Sequence, residues 1–170
     1  MKSLISIGTI LIFLNLSSAI AADNLGSTIR QFGWERIIGT WGDAETKGKI
    51  YKSTTKWKFK DHLIETLNQN FHENKKEFSL MGYNPKKKEA FHISSDNKGG
   101  SSIGNWTFNK NEAFLNLLFI TGEKQESALK IKYTLIDNNT MEATILLPEP
   151  IMIKMVRIEK SKPLTNHWTE

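Results

Sequence analysis

The sequence predicts an all-β protein, an antiparallel up-and-down β-barrel of about eight to ten strands behind a short N-terminal helix. Three observations predict it. Apolar and polar residues alternate with period two from Tyr51 almost to the end of the chain, turn-forming clusters interrupt the alternation at regular intervals, and no helical segment is long enough to cross over between parallel strands. An open sheet of so many strands leaves two unpaired edges and an exposed apolar face, and closure removes both.

The first segment reads as an export signal. Lys2 precedes an apolar run from Leu4 to Leu16, which gives way to the small residues Ser17-Ser18-Ala19-Ile20-Ala21-Ala22, the charged, apolar and cleavage regions of a leader. The apolar stretch is short for a membrane span. The expected division is a signal peptide over 1–22, a barrel domain over 23–162 and a tail over 163–170, with the mature chain periplasmic or secreted. No cysteine occurs in the 170 residues, so no lipid attaches at the cut, and packing and hydrogen bonding must supply the stability that exported proteins often draw from disulfides. The formal net charge is +5. Its lysines are spread along strands and turns, the pattern of a solvated sheet face, and with an export signal and no binding motif they do not point to nucleic acid.

Ser27 or Thr28 can cap a helix that carries Ile29, Phe32, Arg36 and Ile37 at helical spacing and ends before Gly39. A short strand follows at Thr40-Trp41. Between Gly48 and Phe59, the residues Tyr51, Ser53, Thr55, Trp57 and Phe59 share one face, and Lys52, Thr54, Lys56 and Lys58 share the other, as in a strand with core on one side and water on the other. Lys60-Asp61-His62 turns the chain. On the returning strand from Leu63 to His72, odd-numbered residues are expected inside, which puts Glu65, Leu67, Gln69 and Phe71 in the lumen. Further strands are expected over Phe78–Tyr83, Lys88–Ser95, Ser102–Phe108, Ala113–Thr121, Ala128–Ile136, Met141–Leu147 and Ile151–Lys160, separated by turns rich in Asn, Asp, Gly and Lys. Leu129, Ile131, Tyr133 and Leu135 look inward from one, and Met141, Ala143, Ile145 and Leu147 from the next. The strand Ala113–Thr121 is apolar on both faces, and the N-terminal helix is the expected cover for its outside.

Gly39-Thr40-Trp41, after a short helix and at the start of the first strand, resembles the Gly-x-Trp signature of lipocalins and other calycin barrels. The resemblance implies that Trp41 packs at the closed end and that a basic residue of the last strand, here Arg157, lies across it. The stretch from Gly82-Tyr83-Asn84-Pro85 through His92 and Asp96 to Gly104-Asn105-Trp106 is similar to secreted bacterial lipocalin-like domains of unknown function. The cysteine pair that staples many secreted lipocalins is absent here. Some barrels with a Gly-Thr-Trp opening bind haem through a histidine near the last strands, but Pro148 to Met155 holds none, and Met152 and Met155 read more simply as core filler.

No catalytic constellation stands out. His62, His72, His92 and His167 form no close pair; a metal site would need His72 and His92 brought together with Glu65 or Glu89 across strands. Ser94-Ser95-Asp96 and Ser101-Ser102 lack a nucleophile elbow, and a carboxylate pair from Glu65 with Glu89 or Asp96 has no spacing to recommend it. The expected function is therefore non-enzymatic, without cofactor or metal: an exported carrier of a small apolar or amphipathic ligand, lined by Tyr51, Trp57, Phe59, Glu65, Leu67, Gln69, Phe71 and Tyr133, with Gly39, Trp41 and Arg157 as the structural signature. A barrel that meets a protein or the envelope through its basic turns Lys75-Lys76 and Lys86-Lys87-Lys88 is the alternative.

Overall fold

Each turn cluster reverses the chain, and each reversal pairs a strand with the next, until the last strand meets the first. The computed structural model describes residues 24–159. The leader expected over 1–22 and the tail over 163–170, with His167, lie outside them. The strands are β1 (Gly39–Asp43), β2 (Tyr51–Phe59), β3 (Leu63–Asn70), β4 (Lys75–Asn84), β5 (Glu89–Asp96), β6 (Ser101–Phe108), β7 (Glu112–Ile120), β8 (Glu126–Leu135), β9 (Thr140–Ile145) and β10 (Ile151–Glu159). They form a closed barrel in which every consecutive pair is antiparallel and β10 returns to β1, Arg157 opposite Trp41. Every strand thus has two neighbours, and no edge remains to pair with another chain. Among the described residues no helix is long and apolar enough to cross a membrane.

The helix α1 (Leu25–Gln31) starts earlier than a Ser27 or Thr28 cap would place it. Asn24 is the cap: its side-chain oxygen accepts from the Ser27 N–H at 2.9 Å, and the Ser27 hydroxyl accepts in return from the Asn24 N–H. This reciprocal pair satisfies two otherwise orphaned donors. The helix stops short of Gly33, and the chain continues as a single 3₁₀ turn over Trp34–Ile37.

Leu25, Ile29 and Trp34 are fully buried, and they close one end of the barrel rather than cover its wall. The contacts define that end. The Gly26 N–H donates to the Asp61 carbonyl in the β2–β3 turn at 2.9 Å, Arg30 pairs with the Asp61 carboxylate at 2.6 Å, the Trp34 indole N–H donates to the Asn109 carbonyl in the β6–β7 turn at 2.7 Å, and Arg36 donates to Asn138 in the β8–β9 turn. The expectation that α1 shields the outside of β7 is therefore corrected. The apolar stripe of α1 is consumed by the barrel end, and Leu118 and Ile120 stay exposed on the outer wall.

At the same end, the Arg157 guanidinium sits 4.4 Å from the centre of the Trp41 ring and donates to the Ile38 carbonyl at 2.9 Å and to the Arg36 carbonyl. The Trp41 indole N–H donates to the Ile37 carbonyl at 3.0 Å. The chain reaches this corner through Gly39, whose φ of 131° lies in a region that side chains disfavour. An aromatic, a cation and the last carbonyls of the 3₁₀ turn thus seal the floor with their polar groups paired.

Candidate functional site

Above this floor the barrel encloses a cavity of about 300 Å³, at the small end of the range for ligand pockets. Trp34, Ile37 and Trp41 form its base, Met81, Leu115, Leu117, Ile131, Met141 and Met155 supply most of its apolar lining, and Asn70, Glu73 and Lys75 lie toward the opposite end, where the β3–β4 turn leaves the barrel.

Which side chains face this space is decided by hairpin register. Of the residues expected to line it, Tyr51 and Tyr133 do. Trp57 keeps its inward parity but is spent below the cavity, partly buried against the core with the Lys60 ammonium 5.5 Å from its ring centre. Phe59 is 62% exposed, because the register shifts between Trp57 and Phe59 and the alternation ends there.

The expected parity of β3 is reversed. Inward Ser53, Thr55 and Trp57 pair with Asn68, Thr66 and Ile64, so even-numbered residues of β3 look inward. Glu65 points outward to Lys56 at 2.9 Å and Lys58 at 3.4 Å, and these ion pairs hold its carboxyl below the usual range. Gln69 shares that outer face, Leu67 is exposed on it, and Phe71 is exposed just past the strand end. Because side chains alternate strictly, a one-residue change of register moves the whole set. Tyr51 and Tyr133 therefore share the lumen, while Phe59, Glu65, Leu67, Gln69 and Phe71 do not.

Two polar arrangements occupy the β2–β5 side. The Tyr51 hydroxyl donates to the Asn68 side-chain oxygen at 3.1 Å, and the Asn68 amide donates to the Glu77 carboxylate at 3.2 Å. Burial raises the Glu77 carboxyl, against the pull of the Asn68 bond and the Lys75 charge. Burial also pushes the Tyr51 and Tyr133 phenols up, so both stay protonated. Nearer the open end Lys75 reaches Asp96 at 3.0 Å and lies 5.3 Å from the centre of the Phe119 ring. Burial alone would raise Asp96, but the Lys75 ammonium and the N–H groups of Gly100 and Lys98 outweigh it and keep the carboxylate ionised.

The β5–β6 wall differs. His92 is 5% exposed, and its Nε2 has no hydrogen-bond partner; nor has the Trp106 indole N–H. Both side chains line the cavity. Burial pushes the imidazole down to about 4, so His92 is neutral at ordinary pH. Trp106 is held by stacking on Phe108, 5.8 Å between centres and 3° from parallel, and by Tyr133 at 5.2 Å; the His92 ring meets it edge-on at 6.3 Å. Gly104 pairs with His92 across the sheet, and a Cβ there would fall 2.0 Å from the Asn116 carbonyl oxygen, so only glycine permits this approach of β6 to β7.

The other chemical candidates are not brought together. His62 and His72 are exposed, Glu65 is on the outer wall, and Asp96 is inside. Among the described residues no three metal-ligating side chains converge. Asn68, Glu77, Lys75 and Trp106 are lumen residues that the alternation alone does not single out, and Asp96 is buried beside Lys75. The legible signal for β3 is Glu65, whose charge matches Lys56 and Lys58 across the hairpin and marks its face as the outer one.

No family model matches the chain, and no curated protein is significantly similar to it. Its class rests on architecture: a closed ten-stranded antiparallel barrel with a short N-terminal helix, consistent with a calycin or lipocalin-like fold of the ligand-binding type.

Proposed function

We propose that this protein is an exported carrier that takes a small apolar or amphipathic molecule into its barrel and does no chemistry on it. The observation that carries the reading is the cavity itself: a space of about 300 Å³, plugged at one end by α1 and Trp41, mostly apolar in its depth, with two buried polar atoms that no protein group satisfies. Interiors are close-packed, and buried polar atoms are nearly always paired, so both features cost stability unless something occupies the space. Entry is from the end opposite Trp41 and Arg157. Export rests on the leader at 1–22, and N-terminal sequencing of the mature protein, expected to begin near Asp23, tests it.

Native mass spectrometry of protein purified from its own compartment, with binding of an apolar fluorescent dye to the emptied protein, tests the carrier. A retained small molecule and a dye site lost in Leu117→Trp, which fills the lumen, are the expected results. A barrel that neither retains cargo nor binds dye, or a Leu117→Trp variant that binds as before, contradicts the reading.

A further inference from the structure

We propose that the lumen selects a neutral molecule bearing a hydroxyl group, whose oxygen is taken jointly by the Trp106 indole N–H and the His92 imidazole. The inference rests on the carrier reading and specifies its ligand.

Trp106 Nε1 can only donate, so the ligand atom beside it must carry a free lone pair. That requirement removes an ammonium, which has none, and an alkane. His92 presents one donor and one acceptor nitrogen when neutral, and a hydroxyl both donates and accepts, so it satisfies Nε2 whichever nitrogen holds the proton. A carboxylate also accepts hydrogen bonds, but it meets no uncommitted cation among the described residues of the lining. Lys75, the one lysine among them, is engaged by Asp96 at 3.0 Å, and Glu73 and Glu77 line the same space. A second buried anion among these groups meets like charge without compensation. Tyr51, Asn68 and Glu77 are already bonded to one another. The rest of the ligand lies against Leu115, Leu117 and Ile131.

The test is a set of probes with one chain length and four ends: octanol, octane, octanoate and octylammonium, each titrated against the full mature protein by displacement of an apolar dye and by calorimetry. Octanol is expected to bind roughly tenfold tighter than octane, the effect of one or two hydrogen bonds, and tighter than either charged probe. In Trp106→Phe and His92→Phe the preference of octanol over octane, read as the ratio of the two affinities within each variant, should collapse to about twofold or less; His92→Gln, which keeps a polar group, should retain part of it. Octanoate or octylammonium binding tightest, or a preference unchanged in both Phe variants, overturns the proposal and leaves the carrier standing. An unchanged preference also means that ordered water alone satisfies the two atoms. Failure of all four probes and of the dye, in a protein whose circular dichroism is that of a folded barrel, overturns the carrier reading with it.

Discussion

The floor of the barrel and its β5–β6 wall use the same side chain in opposite ways. Trp34, Trp41 and Trp106 all line the cavity. At the floor each indole N–H has a carbonyl of its own, Asn109 for Trp34 at 2.7 Å and Ile37 for Trp41 at 3.0 Å. On the wall the N–H of Trp106 has none, and neither has the neighbouring His92 Nε2. Paired polar groups hold a structure together, and they have nothing left with which to recognise a visitor. Unpaired ones weaken the fold, and they are the groups that can distinguish one ligand from another.

This contrast sets the order of expected effects. The largest belongs to the floor: Trp41→Ala removes a fully buried ring and the platform under Arg157, and chemical denaturation should show a loss of roughly 3–5 kcal/mol. A loss below about 1 kcal/mol would mean that the floor does not carry the barrel. Asn68→Leu comes next. It strips partners from the Tyr51 hydroxyl and the Glu77 carboxylate at once, for an expected cost of about 1–3 kcal/mol; a neutral outcome would show that this network holds nothing.

The wall should respond to pH instead. His92 is neutral when folded down to about pH 4, whereas an unfolded histidine takes up a proton near 6.5. As pH falls through this interval the unfolded chain binds the extra proton, so stability is full above 6.5, declines toward 4 and then levels off. The slope attributable to one proton is at most about 1.4 kcal/mol per pH unit. His92→Phe should remove that component, and a titration of stability that is identical in the variant would contradict the assignment. The smallest effect is the most telling. Because it deletes an unsatisfied atom, His92→Phe should change stability at pH 7.5 by no more than about 0.5 kcal/mol, or raise it, although it weakens octanol binding.

Much of the fold is legible in the sequence because its signals are local. Period-two alternation and turn chemistry fix the inward faces of β2, β8 and β9 through Tyr51, Tyr133 and Met141. The last-strand arginine is legible through the resemblance to Gly-x-Trp barrels, which implies the place across Trp41 that Arg157 takes. What escapes is relational. The lumen side of β3 is polar, with Thr66, Asn68 and Asn70 inside, so choosing the more apolar set picks Leu67 and Phe71, which lie outside. Only the register against Lys56 and Lys58 reveals the true face. The position of α1 is hidden for a similar reason: its apolar stripe says that it is covered, and not whether a wall or an end does the covering. His92 and Trp106 are visible as residues, but a missing hydrogen-bond partner is a property of three-dimensional neighbours.

The most direct measurement is a two-dimensional ¹H–¹⁵N NMR spectrum of the indole N–H groups, assigned by single Trp→Phe variants, recorded with and without octanol. The Trp106 signal should move as the probe is added and saturate with it, while those of Trp34 and Trp41, already bonded to Asn109 and Ile37, stay close to their original positions. A Trp106 signal that stays fixed while octanol binds, or floor signals that move in its place, would contradict the claim that the β5–β6 wall recognises the ligand.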